Sequence, residues 1–382
     1  LTCLVLLGAL VVMCTLSQVQ MGTFPAIEKY FRSFLLWAPF PGTSVQVPWF
    51  PAGGAVGLML LVNLAAMFFW RLQRSWRKSG LWLVHAGLTL FIVGEYSAGM
   101  LSMEAQMPIE VGASSDYAVS PRRDELVVVD ESAPDLDTVY AVPQEDLKDG
   151  RVISHPGWPF SVKVDAAFAN AEVGPRPKGA PPSRATQGIG PMIIMRPAEK
   201  VTADDERNLP AAYVDVLEGG KSRGTWLVSS ALGAPQEFFS GGRKWALMMR
   251  AERHYLPFTL TLEAFHHDVY AGTDIPKNFS SQVRLTNPAT GEDRDVLIYM
   301  NNPLRYHGYT FYQASFGKGD RMSVLQVVRN PGWLLPYFSF LLLALGLLIH
   351  FGRMLWESKP AQAAAPPGAS RQAGLARGAA PA

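Results

Sequence analysis

Two histidines in apolar surroundings, and a basic run beside one of them, are where this chain could do chemistry. His85 sits in GLWLVHAGLTLFIVGE, just after Arg71, Arg74, Arg77 and Lys78. A titratable ring in hydrocarbon is costly unless it has a partner, so such a residue marks a functional site by default. Imidazole is also a common axial ligand of haem iron. Counted from the start of its apolar run, His85 lies roughly 6–8 Å below the membrane edge at ~1.5 Å per residue. Two readings stand. Either the ring ligates haem iron, with Arg74, Arg77 and Lys78 placed to meet the propionates, or it hydrogen-bonds a neighbouring helix at Asn63 or a backbone carbonyl. His350, near the end of the last apolar run, has a similar inferred depth. It either snorkels to the interface or shares one haem with His85, which would make a bis-histidine b-type electron carrier.

The remaining polar candidates read as structural. Glu95 is ten residues beyond His85, about 15 Å along a helix, and reads as a carboxylate reaching for the opposite interface. His266 and His267 are adjacent in a predicted strand, where successive side chains point to opposite faces, so they do not ligate one iron together. His155, His254 and His307 sit in polar or turn settings. Tyr306, Tyr309, Phe311 and Tyr312 read as sheet packing. Cys3 and Cys14 would be about 16 Å apart on a helix, too far for a disulfide. No CxxCH, CxxC, GxGxxG, GxSxG or HExxH occurs. The chain therefore carries no covalent c-type haem, thiol-reductase, dinucleotide or common hydrolase signature.

The elements that must position these residues are membrane spans. With 48% hydrophobic and 17% charged residues, the chain fits a mixture of apolar spans and a water-facing domain better than either alone. The net charge of +2, without a basic patch and interleaved aromatics, gives no support for nucleic acid. Four runs are predicted to cross the bilayer: 1–16, 52–70, 81–101 and 333–352. The chain opens on Leu1 inside the first run, so the expectation is that part of this span and any leader precede it. The loop RLQRSWRKSG has four basic residues and no acidic one, which makes the 71–79 loop cytoplasmic. Both termini then face the cytoplasm, and residues 102–332 lie on the other side. Trp333, Tyr337 and Trp356 fit interfacial anchors.

The fold expected is a membrane protein of four transmembrane α-helices, with a large, mostly β extramembrane domain between helices three and four. Short β-branched or aromatic runs (ELVVVDE, FSVKVDA, AAYVDVL, FTLTLEAF, SSQVRLTN, YTFYQASF, MSVLQVV) separated by turn residues fill 102–332 and suggest a sandwich or open barrel. Gly174–Pro191 reads as a surface loop. Residues 353–382 are expected to form a disordered cytoplasmic tail, since the Ala/Pro/Gly composition beyond Ser358 cannot bury a core.

At this point the arrangement resembles a family. LSQVQMGTFPAIEKYF, LVNLAAMFF and LWLVHAGLTLFIVGEYSAG, with FHHDVYAGTDIPKNFSSQVRL, MNNPLRYHGYTFYQASF and VVRNPGWLLPYFSFLLLALGLLI, are similar to the ResB family of system II cytochrome c biogenesis. Between about Asp130 and Arg250 only the strand character matches. The resemblance implies a multi-pass protein of a bacterial inner membrane with a periplasmic β domain. It implies transient binding of haem b, and a ResC-type partner with which haem is delivered to apocytochrome c. It implies that the span-three histidine, His85 here, ligates haem, with the second ligand coming from the partner. No WxWD-type motif occurs in this chain, so the partner's half is not fused to it. Attachment chemistry would reside in the complex, and this chain alone is not clearly an enzyme. A third reading, a non-haem membrane scaffold with a β interaction domain, stays open.

Overall fold

The computed structural model describes residues 1–71, 75–134, 136–201, 206–272 and 276–357. Among them four helices are long and apolar enough to cross a membrane: Thr2–Met21, Gly53–Trp70, Trp76–Leu101 and Leu335–Glu357. The α-helical segments are α1 (Thr2–Met21), α2 (Thr23–Ile27), α3 (Gly53–Ala66), α4 (Ser79–Leu101) and α5 (Leu335–Glu357). A π-helical turn, Met67–Arg71, extends α3. α1 runs past the predicted end at Leu16 because Ser17, Gln18 and Gln20 continue the backbone helix although they end the apolar run. It stops at Gly22, where φ is 79°, a conformation that glycine adopts without steric cost. Residues 353–357, expected in the tail, are the last turn of α5. Residues 358–382 and Arg74 lie outside the described residues.

The chain divides into two compact units, Leu1–Val56 with Ala98–Pro331, and Gly57–Ser97 with the segment from Gly332 onward. The first unit holds α1, α2, a hairpin of β1 (Leu35–Pro39) and β2 (Gln46–Pro51), and the β domain. In chain order the domain's strands are β3 (Met103–Glu110), β4 (Ser114–Asp130), β5 (Thr138–Pro143), β6 (Val152–Ser154), β7 (Ser161–Phe168), β8 (Ala171–Pro175), β9 (Ile193–Pro197), β10 (Ala211–Glu218), β11 (Lys221–Ser229), β12 (Gln236–Ser240), β13 (Arg243–Val269), β14 (Pro276–Asn287), β15 (Glu292–Tyr299), β16 (Leu304–Tyr306), β17 (Tyr309–Gly317) and β18 (Met322–Arg329).

β4 and the 27-residue β13 pair along most of their length and run through two cores. Between Ala251 and Arg253 the partner residue jumps from Asp124 to Val119, and between Tyr255 and Leu260 from Tyr117 to Ser115. These bulges, one with Pro257 where a ladder N–H is dispensable, separate the cores. In one core the order β15-β14-β13-β4-β3-β18-β17-β16 curls on itself. Tyr306 of β16 donates to Glu292 of β15 at 2.6 Å, and buried Ser281 of β14 donates to Gln313 of β17 at 2.6 Å. Period-two alternation fills its interior: Ala105, Met107 and Ile109 point in, with Leu256, Phe258, Leu260, Leu262, Leu325 and Val327. In the other core the four-stranded sheet β11-β10-β7-β6 covers the opposite ends of β4 and β13 over Trp158, Phe160, Trp226 and Trp245.

The stretch read as a surface loop has a more defined task. β8 and β9 form a hairpin at its ends, and the amides of Thr186 and Gln187 donate to the Thr225 carbonyl at 2.8 and 3.1 Å. Ala185 is buried. The loop thus covers the edge strand β11, which would otherwise offer unpaired backbone groups. Hydropathy alone does not reveal such a cover, because the contacts are made by backbone.

Candidate functional site

The second unit brings three helical segments together. On α4, Gly80, Gly87 and Gly94 are buried, spaced by seven residues. Facing them on α5 are Ser339 and Gly346, the buried residues of that helix and also seven apart. A Cβ on Gly80 would sit 2.6 Å from the His350 amide nitrogen, one on Gly87 2.9 Å from the Ser339 carbonyl, and one on Gly346 2.7 Å from the Val84 nitrogen. The two backbones are therefore in van der Waals contact, as small residues permit between membrane helices. The Ser339 hydroxyl donates to the Gly87 carbonyl at 2.7 Å. At the helix ends Arg353 donates to the Trp76 carbonyl, and Arg77 lies 3.8 Å from Glu357 in an exposed pair.

The other side of α4 faces the continuation of α3. Phe68 and Trp82 meet edge to face at 4.8 Å, and the Tyr96 hydroxyl occupies the space of the missing side chain of Gly57. His85 belongs to this side. It is two residues from Gly87, or about 160° around the helix at 3.6 residues per turn. Interpolating between the Phe68–Trp82 and Gly57–Tyr96 contacts places it level with Ala65 and Ala66, two small side chains.

The ring is half-buried, and its Nδ1 lies 2.7 Å from the carbonyl oxygen of Leu81 one turn back. That oxygen can only accept, so Nδ1 carries a proton, and in the neutral ring Nε2 is then the nitrogen with the lone pair. A histidine held by Nδ1–H on a carbonyl is in the tautomer that metal-ligating histidines adopt. The bond stays within α4 instead of reaching a neighbouring helix. Asn63 is exposed and is not the partner. Thr89 returns a hydroxyl to the His85 carbonyl at 2.8 Å.

His350 lies on the α5 stripe that faces Gly80 and is half-buried. Its backbone packs against Gly80 on the glycine face of α4, opposite the face that carries His85. Of the candidate propionate contacts, Arg77 is exposed and Lys78 half-buried. Both lie in a helical turn, Trp76–Lys78, capped by the Ser75 hydroxyl, which accepts from the Arg77 amide at 3.3 Å. Glu95 is exposed. Among the described residues no group of three or more His, Cys, Asp or Glu side chains is placed to hold a metal ion.

In the β domain, His266 is exposed and His267 largely buried, on opposite faces as strand alternation requires. His267 has a partner that sequence reading missed: its Nδ1 is 3.2 Å from the Asp320 carboxylate, and its ring packs on Phe316 at 4.3 Å. No local signal joins the two residues, since the β17–β18 turn brings Asp320 back from far along the chain. Tyr306, Tyr309 and Phe311 pack around Phe258 at 4.9, 6.2 and 5.9 Å, as sheet packing. A cavity of about 360 Å³ at the β4 bulge is lined by Arg122, Arg123, Asp124, Glu145, Lys200 and Glu252 among others, and His85 and His350 are not part of it.

Comparison with known proteins finds likenesses that include the closing half of the β domain. The model of the ResB-like family matches residues 223–324, which run from β11 into β18. Protein NrfI of Wolinella succinogenes is 38% identical over 93 residues, covering 24% of this chain and 10% of NrfI. The cytochrome c biogenesis protein CcsB of Prochlorococcus marinus, strain MIT 9313, is 36% identical over 107 residues, covering 28% of this chain and 23% of CcsB. CcsB of strain MIT 9303 matches to the same extent. The matches thus span about a tenth to a quarter of these relatives' lengths. Together the family model and these relatives show that the matched part of the chain is similar to the ResB-like family and to proteins of cytochrome c biogenesis.

Proposed function

We propose that this chain is a membrane subunit of cytochrome c biogenesis that holds haem through His85. With a ResC-type partner it would present that haem for attachment to apocytochrome c. The observation that carries the reading is the Nδ1–Leu81 bond, which holds the ring's orientation and, in its neutral form, leaves Nε2 as the nitrogen able to ligate iron. Haem b bound there would supply the iron that accepts this lone pair. The chain's own residues would orient the ring, exclude water with the Phe68–Trp82 wall, and offer Arg77 and Lys78 at the helix start to the propionates. Those cations are seven or eight residues from His85, roughly 10–12 Å along the helix, which is of the order of the reach from a porphyrin iron to its carboxylates. The second axial ligand would come from the partner. In this reading the basic loop is cytoplasmic, the β domain periplasmic, and the membrane a bacterial inner membrane.

The test is the haem content of the full chain purified together with its partner. The wild type is expected to show a Soret band, and His85→Ala to lose most of it while the complex still assembles. Retention of full haem by His85→Ala rejects the assignment.

A further inference from the structure

The β1–β2 hairpin has no role in the haem reading, and its composition is unusual for a water-facing element. Residues 33–52, SFLLWAPFPGTSVQVPWFPA, contain no charged side chain. Phe34, Leu35, Trp37, Phe40, Val45 and Trp49 are each 41–61% exposed. A contiguous apolar surface of this kind marks an interaction site rather than ordinary surface.

Three features say what covers it. First, connectivity: α3 begins at Gly53, two residues after β2 ends at Pro51, and α1, another apolar helix, ends twelve residues before Ser33. Second, the hairpin is locked to the start of α3. The Ala52 amide donates to the Phe34 carbonyl at 3.0 Å, and the Gly54 amide to the Ser33 carbonyl at 3.0 Å. A Cβ on Gly53 would lie 2.4 Å from the Phe31 carbonyl oxygen. The sheet therefore cannot swing away from the helix end. Third, the residue types are tryptophan, phenylalanine and proline without charge, and tryptophan is enriched where the hydrocarbon meets the headgroups. The hairpin is about 17 Å long at ~3.4 Å per residue, and immersed in the interfacial layer it would put exposed aromatic and aliphatic side chains of both its faces in contact with lipid.

We infer that the β1–β2 hairpin is a membrane-interface foot, seated in the headgroup region of the leaflet that α3 enters, with Trp37, Phe40, Val45 and Trp49 as its lipid contacts. The inference rests on the reading of α3 as a membrane span and is independent of haem.

The experiment uses the full chain with Cys3→Ser and Cys14→Ser, reconstituted in vesicles of phosphatidylethanolamine and phosphatidylglycerol. A polarity-sensitive fluorophore is attached in turn at Phe40→Cys, Val45→Cys, Leu345→Cys and Lys221→Cys. Leu345, on α5, reports on the span, and exposed Lys221, at the β10–β11 turn, reports on water. The expected result is strong quenching of the Phe40 and Val45 labels by nitroxide-bearing lipid, several-fold above their quenching by iodide, with Lys221 showing the reverse. Hairpin labels that follow Lys221 overturn the inference, and so do labels shielded from both quenchers, which would mean a protein covers the hairpin. A Leu345 label quenched by iodide would overturn the membrane reading and the inference together. Loss of haem from His85→Ala leaves the result unchanged.

Discussion

The ring of His85 is tethered through Nδ1 to the carbonyl of Leu81, 2.7 Å away on the same helix, while Gly87, two residues on, lies against the Ser339 carbonyl of α5. One face of α4 is thus packed on α5, and the face that carries the imidazole meets the continuation of α3. Packing on the glycine face and the proposed role of the ring can therefore be tested at different residues.

The packing duty is tested at the glycines. Gly87→Leu places a side chain where only a hydrogen fits, and should destabilise the α4–α5 contact by about 1–3 kcal/mol, the usual cost of overpacking. Gly99, on the same helix, has nothing within 4 Å of a would-be Cβ, so Gly99→Leu should be neutral. Thermal unfolding of both variants in detergent checks the contrast. Equal midpoints for the two would contradict it.

Within the β domain, Arg250 and Glu125 pair at 2.9 Å with side chains only 12% and 7% exposed. Removing the cation in Arg250→Ala strands a buried carboxylate and should cost about 3–5 kcal/mol. Arg284 and Asp293 pair more tightly, at 2.5 Å, but with side chains 51% and 43% exposed. Arg284→Ala should cost much less, because solvent screens an exposed pair. Urea unfolding of the two variants would show the large and the small loss, and the reverse order would refute the ranking.

Acid sensitivity should be concentrated where the barrel-like core closes. The Tyr306 hydroxyl, and then Arg294, hold the Glu292 carboxyl below the usual carboxylate range. Arg284 does the same for Asp293. A folded pKa below the unfolded one stabilises the fold fully above the unfolded value, and that stabilisation is lost as pH falls through the folded value. The melting temperature should therefore be flat above about pH 5 and fall below about pH 4. Glu292→Gln should make the fall shallower. A melting temperature that rises on acidification would contradict the sign.

Much of this was legible in the residues themselves. Apolar length placed the four long helices to within about five residues, and period-two alternation in segments such as FSVKVDA marked strands whose Val162 and Val164 are buried. His85 stood out because imidazole is rare in an apolar run. Three things were not legible. The continuity of β13 through Pro257 depends on a bulge, which reads locally as a break between two strands. The hairpin 35–51 was hidden by its uniform apolarity, which has no alternation to read. The packing of the His350 backbone on Gly80 depends on which face of α4 the glycines commit to α5, and that requires both helices at once.

The most direct measurement of the central claim separates ligation from mere presence of the side chain. His85→Gly, purified with the partner, should lose the haem spectrum, and added imidazole should restore it by entering the space the ring vacated. A variant that keeps its haem spectrum without imidazole, or one that imidazole leaves unchanged, would show that His85 does not hold the iron.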